Sequence, residues 1–363
     1  MEITVLQGLW FLLIFVLIAG YFVLDGFDLG AGILYPFVAK TDEDKAVVRT
    51  SIGPVWDANE VWLLTAGGAL FAAFPDAYAT TFSGFYLAVM LVLFSLIVRA
   101  VAVEYAGIDR KWRKVWNALF FVGSLLPALL LGVAVGNIYA GIPLDAAGNY
   151  AGIPLLGLIT PFTLLTGVLS LVMFMAAGAC WLSLKAPLGS SVRDSAAALR
   201  RPLLIVVLVL FVLESVMGHF VVQPDMFAGL TAVRWILAIL VVLAIAGAAF
   251  FCAKGGRDSL ASDGLTATQA AAVTKSDLSA FLCQAAGCFL LVMLLAASMF
   301  PNLVVASAGS VGASITAMTA GSSELTLGWM TGITCVGLPL VLVYHVVIYR
   351  TFRGRVDLAK VHY

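Results

Sequence analysis

Leu87-Ala88-Val89-Met90-Leu91-Val92-Leu93-Phe94-Ser95-Leu96-Ile97-Val98-Arg99 is an apolar run that ends on a cation, and Arg110-Lys111-Trp112-Arg113-Lys114 follows it. Extended to 79–101, the run matches the about 20 apolar residues that cross a bilayer at 1.5 Å per residue. Eight other runs read the same way: 7–27, 51–73, 115–137, 156–183, 203–222, 232–253, 278–300 and 325–349. Nineteen of the 20 Lys and Arg residues fall at the ends of these runs or in alternate connections, all on one side, with Arg234 the exception. The basic groups are Lys40, Lys45 and Arg49; Arg99 and the 110–114 cluster; Lys185, Arg193, Arg200 and Arg201; Lys254, Arg257 and Lys275; and the tail residues Arg350, Arg353, Arg355 and Lys360. Cationic loops stay on the cytoplasmic side. The expectation is an all-α polytopic membrane protein with nine transmembrane helices, its N-terminus outside and its C-terminus cytoplasmic, and residues 1–363 forming a single integral-membrane domain.

Composition agrees. Hydrophobic residues make up 62% of the chain and charged residues 11%, against roughly 25% charged in soluble domains. The zero net charge gives no hint of a nucleic-acid partner. The first run lacks a basic leader and continues into a long apolar stretch, so it reads as a retained helix and not a cleaved signal. Cys180, Cys252, Cys283, Cys288 and Cys335 lie within runs and form no CxxC pair, so they read as packing residues. Pro202 is expected to open the sixth helix, and Ser322-Ser323-Glu324 to cap the ninth. Gly26, Gly30 and Gly32, like Gly67 and Gly68, suggest close helix contact. An odd helix number disfavours a simple inverted repeat, although two four-helix bundles plus one additional helix would accommodate it.

Ionisable groups inside lipid cost roughly 2.5–3.5 kcal/mol each on insertion scales and demand a reason. The strongest group is Gly53-Pro54-Val55-Trp56-Asp57-Ala58-Asn59-Glu60-Val61-Trp62. Asp57 and Glu60 share a helical face, as do Trp56, Asn59 and Glu60. Counted from residue 51, Asp57 lies ~9 Å and Glu60 ~13 Å from the inner boundary. Two carboxylates so placed can share a proton, as an uptake route needs; the structural alternative is that both bond to a partner helix or cap a helix end. Asp25 and Asp28, further candidates for a proton pathway, form a second pair at the inner end of the first run, where the structural alternative is contact with water, Arg49 or Arg99. Glu214, near mid-membrane, is a buried acid whose simplest role is a hydrogen bond to a neighbour. Trp10, Trp112, Trp116, Trp235, Tyr78, Tyr139 and Tyr349 read as interface-belt aromatics, whereas Trp62 lies deeper and can line a cavity or simply pack. The three histidines are His219 near the outer face, His345 near the inner face and His362 in the tail. His219 and His345 cannot clamp one haem iron, and no metal or nucleotide signature is present.

These residues carry a family resemblance. Asp25-Gly26-Phe27-Asp28-Leu29-Gly30, Trp56-Asp57-Ala58-Asn59-Glu60-Val61-Trp62-Leu63 and Thr65-Ala66-Gly67-Gly68-Ala69-Leu70-Phe71-Ala72-Ala73 closely resemble subunit II of cytochrome bd quinol oxidases. So do Phe82-Ser83-Gly84-Phe85-Tyr86, Gly132-Val133-Ala134-Val135-Gly136-Asn137, Met299-Phe300-Pro301 and Ser322-Ser323-Glu324-Leu325-Thr326. The resemblance implies two four-helix bundles plus one helix, paired with a homologous subunit I in the bacterial inner membrane. That complex oxidises quinol, reduces oxygen to water and takes protons from the cytoplasm, building proton-motive force without pumping. It implies that two b-type haems and haem d belong to subunit I, with no cofactor in this chain except a structural quinone in some relatives; small accessory subunits occur as well. It assigns Trp62 to the oxygen-access channel and Asp57 to proton delivery at the subunit interface, with Asp25 and Asp28 in a motif of less defined role. Val55 stands where some relatives carry His, and Glu60 where some carry Gln. Two other readings stand beside this one: a purely structural partner of subunit I, and an independent proton-coupled transporter using Asp57, Glu60 and Glu214.

Overall fold

The computed structural model describes residues 3–222, 232–257 and 266–357, with no side-chain description at 255–257. Lys360 and His362 of the basic tail lie outside the described residues, as does the side chain of Arg257.

Among the described residues the chain is helical almost throughout. Helix α1 (Val5–Val38) opens on a capping box in which Thr4 and Gln7 each satisfy the other's backbone N–H. It runs well past the expected end at residue 27, because Asp25 and Asp28 are bonded inside the protein and need no interfacial water. Helix α2 (Asp42–Ile52) is short and polar, with Asp42, Glu43 and Asp44 in its first turn and Arg49 in its last, which suits the helix dipole. The second expected span breaks at Gly53-Pro54-Val55: Gly53 still has helical backbone angles, and Pro54 has no N–H with which to continue the helical hydrogen bonds. It resumes as α3 (Trp56–Ala73). Helix α4 (Pro75–Gly84) has proline at its first position, and α5 (Tyr86–Tyr105) follows after Phe85.

The remaining helices are α6 (Arg113–Ala140), α7 (Pro161–Lys185), α8 (Ser191–Met217, continued by a π turn to Val222), α9 (Ala232–Arg257), α10 (Ala267–Met299) and α11 (Glu324–Thr351). Pro161 starts α7 behind the Thr160 cap instead of lying within it. Pro202 does not open α8: the helix begins a full 11 residues earlier, at Ser191, capped by Ser190, and carries Pro202 inside. Ser323 caps α11 as expected. Among the described residues eight helices, α1 and α5 to α11, are long and apolar enough to cross a membrane. The chain is a multi-pass membrane protein. Helix α3, 18 residues long and bearing two acids near its start, falls outside those eight.

Helix α1 is the hub, touching α3, α6, α7 and α10, while consecutive helices from α5 to α10 pack on one another. Glycine makes its crossing with α7 possible. A Cβ on Gly30 would run into the Phe174 carbonyl, and one on Gly178 into the Gly30 backbone. Gly67 and Gly68 behave differently: the first has only Phe82 at 3.8 Å and the second opens onto empty space, so neither makes a close helix contact within this chain. Helix α11 lies at the edge against α1 and α3, with 6% of its most apolar window buried. At the end away from the basic loops, antiparallel β1 (Asn302–Val304) and β2 (Ile315–Thr316) pair, and Ile142 bridges to Ala306.

Candidate functional site

Apolar helices α1, α3, α5 and α11 bring a polar network together at their common seam. Helix α1 supplies Asp25 and Asp28, one turn apart and wholly buried. Helix α5 supplies Arg99, whose side chain is 1% exposed. Its Nη2 donates to Asp25 Oδ1 at 2.8 Å and to Glu60 Oε1 at 2.6 Å, so one nitrogen bridges two helices' carboxylates. Gly123 on α6 allows this approach, since a Cβ there would press on the Ser95 carbonyl and the Arg99 backbone.

A second branch runs through Asn59, which is fully buried. Its amide donates to Asp28 Oδ2 at 2.7 Å and to the Leu24 carbonyl at 3.0 Å, and its carbonyl accepts from Tyr349 Oη at 3.1 Å. The buried atoms Asp25 Oδ2, Asp28 Oδ1 and Arg99 Nη1 have no partner among the described residues. Three carboxylic acids thus face one guanidinium. A surplus of acid over base in a buried setting is the condition for holding and passing a proton.

The third branch is Trp62. Its indole lies against Gly20, where a side chain would collide with the ring. Trp62 Nε1 donates to His345 Nε2 at 3.1 Å, and His345 Nδ1 lies 2.9 Å from the Val341 carbonyl. Because the indole can only donate, Nε2 is the acceptor in this pair, which leaves Nδ1 to donate to Val341. Both imidazole nitrogens are engaged.

Helix α3 starts at Trp56, so Asp57 is in its first turn and not ~9 Å inside a longer helix. It is exposed and accepts the Ala58 N–H at 2.8 Å, one turn before Glu60, which meets Arg99. Trp56 is half-buried and packs against the core formed by the ends of α1, α2 and α7. Asp25 does meet Arg99, one of the two cations expected for it, whereas Arg49 donates to Tyr35 at 2.6 Å. Asp25 and Asp28 belong to the middle of α1, not its inner end, because the helix extends to Val38.

Glu214 lies elsewhere, hydrogen-bonded to Thr166 at the edge of a cavity of about 620 Å³ between α6 and α10. Phe22, Phe174 and Phe211 form apolar walls, and Tyr139, His219 and Arg234 join Glu214 at its polar end. All five cysteines are free thiols. Among the described residues no three His, Cys, Asp or Glu side chains gather as a metal site.

Sequence reasoning placed Tyr349 and Trp10 in the interface belt, but Tyr349 completes the Asn59 branch. Trp10 is buried and donates to the Leu327 carbonyl and to Thr331, joining α1 to α11. The role of His345 was also missed. Trp62 and His345 are 283 residues apart, and no local pattern links them.

The family described as cytochrome bd terminal oxidase subunit II matches residues 6–352. The cytochrome bd-I ubiquinol oxidase subunit 2 of Escherichia coli is 33% identical over 98% of this chain and 96% of its own length. The cytochrome bd ubiquinol oxidase subunit 2 of Bacillus subtilis is 34% identical, covering 97% of each chain. The probable cytochrome oxidase subunit 2 of Haemophilus influenzae is also 34% identical, over 97% of this chain and 95% of its own. In fold, the chain superposes on a chain of the bd oxidase of Geobacillus thermodenitrificans with a TM-score of 0.71 at 15% identity, covering 96% and 99% of the two. The buried acid–guanidinium seam thus lies in a chain that belongs to the cytochrome bd terminal oxidase subunit II family.

Proposed function

We propose that this chain is the haem-free second subunit of a bacterial inner-membrane quinol:oxygen oxidoreductase, and that its polar seam carries protons from the cytoplasm toward redox centres in subunit I. The observation that carries the reading is the Arg99-bridged pair Asp25–Glu60, joined in the same seam by Asp28, Asn59 and Tyr349. Glu60, 28% exposed, stands between the exposed Asp57 and the fully buried Asp25. In this order Asp57 collects a proton at the helix start, Glu60 receives it, and the acids of α1 hold it in the interior. Arg99 sets the carboxylates' spacing and keeps their combined charge compatible with burial.

Nine spans, with α3 as the ninth, put the basic loops in the cytoplasm by the positive-inside rule. The exposed flank of α3 and α11, with Leu64, Phe71, Trp329, Ile333 and Leu340 outward, suits docking of subunit I. The engagement of both His345 ring nitrogens argues against that residue as an axial haem ligand, which supports haem binding in the partner. Trp62, held by His345 at this flank, lines the oxygen route. The cavity beside Glu214 has the apolar walls and polar end that suit a structural quinone.

The test uses the purified complex. Asp57→Asn and Glu60→Gln should keep the parental haem spectrum and lower oxygen-linked quinol turnover. Parental turnover in both variants would leave only the scaffold role. A solitary chain that takes up solute against a proton gradient and recruits no haem-bearing partner would favour the transporter reading instead.

A further inference from the structure

A second buried charge cluster, built by α8, α10 and the segment after α11, lies on the side of the basic loops, and the proton route does not use it. Arg193 and Arg200, two turns apart on one face of α8, are fully buried, and both reach Asp277 of α10, which is buried as well. Arg193 Nη2 donates to Asp277 Oδ2 at 3.0 Å, and Arg200 Nη1 to Oδ1 at 2.6 Å. Arg355, from the segment after α11, adds a third guanidinium: its Nη2 donates to Asp277 Oδ2 at 3.0 Å and to Thr274 at 3.3 Å. Its Nη1 donates to the Ser183 and Ala186 carbonyls at the end of α7.

Three guanidinium charges therefore converge on one carboxylate. Asp194, half-exposed, lies 3.8 Å from Arg193. Five buried guanidinium nitrogens have no acceptor among the described residues: Nε and Nη1 of Arg193, Nε and Nη2 of Arg200, and Nε of Arg355. The Nε–Nη2 edge of Arg200 is the planar fork that grips an oxyanion with two parallel hydrogen bonds. A buried cation without a counter-charge is strongly disfavoured, so the surplus on Asp277 calls for an anion.

We propose that Arg193, Arg200 and Arg355 form a phosphate-oxyanion site, filled by the phosphate of an anionic lipid headgroup or by free phosphate. Arg355 is its rim, since its side chain is 14% exposed while the other two are enclosed. The site ties the segment after α11 to the ends of α7, α8 and α10, and the bound phosphate completes that tie. Lys185 reinforces it by donating to the Phe352 and Gly354 carbonyls at 2.5 and 3.1 Å.

The experiment measures thermal unfolding of the purified complex in two arms. One arm adds inorganic phosphate in detergent against chloride at matched ionic strength. The other compares lipid discs of phosphatidylcholine alone with discs containing phosphatidylglycerol. A rise in the midpoint with phosphate marks free phosphate as a ligand, a rise with phosphatidylglycerol marks the lipid, and a rise in both marks a shared site. Arg200→Gln and Arg355→Gln should weaken the effect about tenfold or more in ligand concentration, the loss of one charge-assisted bond. Lys275→Gln, an exposed neighbour outside the cluster, should retain it. Arg355→Gln decides the matter if Arg200→Gln does not fold, because Arg355 lies outside the helical core. No midpoint shift in either arm, or a shift that survives Arg355→Gln undiminished, overturns the proposal.

Discussion

Replacing Arg99 with Gln tests the seam most severely. The change removes two charge-assisted hydrogen bonds, at 2.8 Å to Asp25 and 2.6 Å to Glu60, while leaving both acids in place. Glu60, 28% exposed, can turn toward solvent and contributes the smaller part of the loss. Asp25 is wholly buried and has no such escape. Breaking a buried pair by deleting one partner costs about 3–5 kcal/mol, so Arg99→Gln should destabilise the chain by roughly that amount. Neutralising the stranded acid should recover much of it. The double variant Asp25→Asn/Arg99→Gln is then expected to be more stable than Arg99→Gln alone, with a coupling energy of about 2–3 kcal/mol, the upper end for contacting residues. Denaturant unfolding of the four members of this cycle, followed by tryptophan fluorescence, measures the coupling. A coupling below about 0.5 kcal/mol would refute the claim that Arg99 neutralises Asp25.

Three further outcomes are expected. Gly178→Val should prevent correct packing of α1 on α7, since its side chain meets the Gly30 backbone, whereas Gly68→Leu should leave this chain folded but impair co-purification of subunit I; immunodetection and pull-down separate the two. His345→Ala strands the buried Trp62 indole N–H and should cost about 1–3 kcal/mol, with a shift in tryptophan emission that His345→Gln largely restores. Asp44, on α2 outside the spans, is pushed up by burial, but hydrogen bonds from Ser191 and from the Thr41 and Lys40 backbone outweigh this and hold it below the usual carboxylate value. Its stabilisation is therefore full above about pH 4 and lost as pH falls through the lowered native value; Asp44→Asn should flatten the acid limb of an unfolding titration.

The helical membrane architecture was legible because apolar length and cation placement are properties of single segments. The breaks were less so. The expected span 51–73 is interrupted at Pro54, the polar α2 lacks the apolar length that marked the other helices, and Pro202 is carried inside α8. The acids were legible as costly groups, and Arg99 as a plausible partner for Asp25. Their network was not, since Glu60 meets Arg99 of α5 and Asn59 meets Asp28 of α1, contacts that no local spacing announces. Tyr349 and His345 meet Asn59 and Trp62 only through the packing of α11 on α1 and α3. Contacts across that sequence distance leave no local periodicity to read.

Proton uptake during turnover addresses the seam's role directly. The complex is reconstituted in vesicles with a pH-sensitive dye on the side of the basic loops, and oxygen reduction is started with quinol. For Glu60→Gln with full haem content, uptake from that side should slow in parallel with oxygen consumption. Parental uptake and parental turnover in that variant would contradict the account.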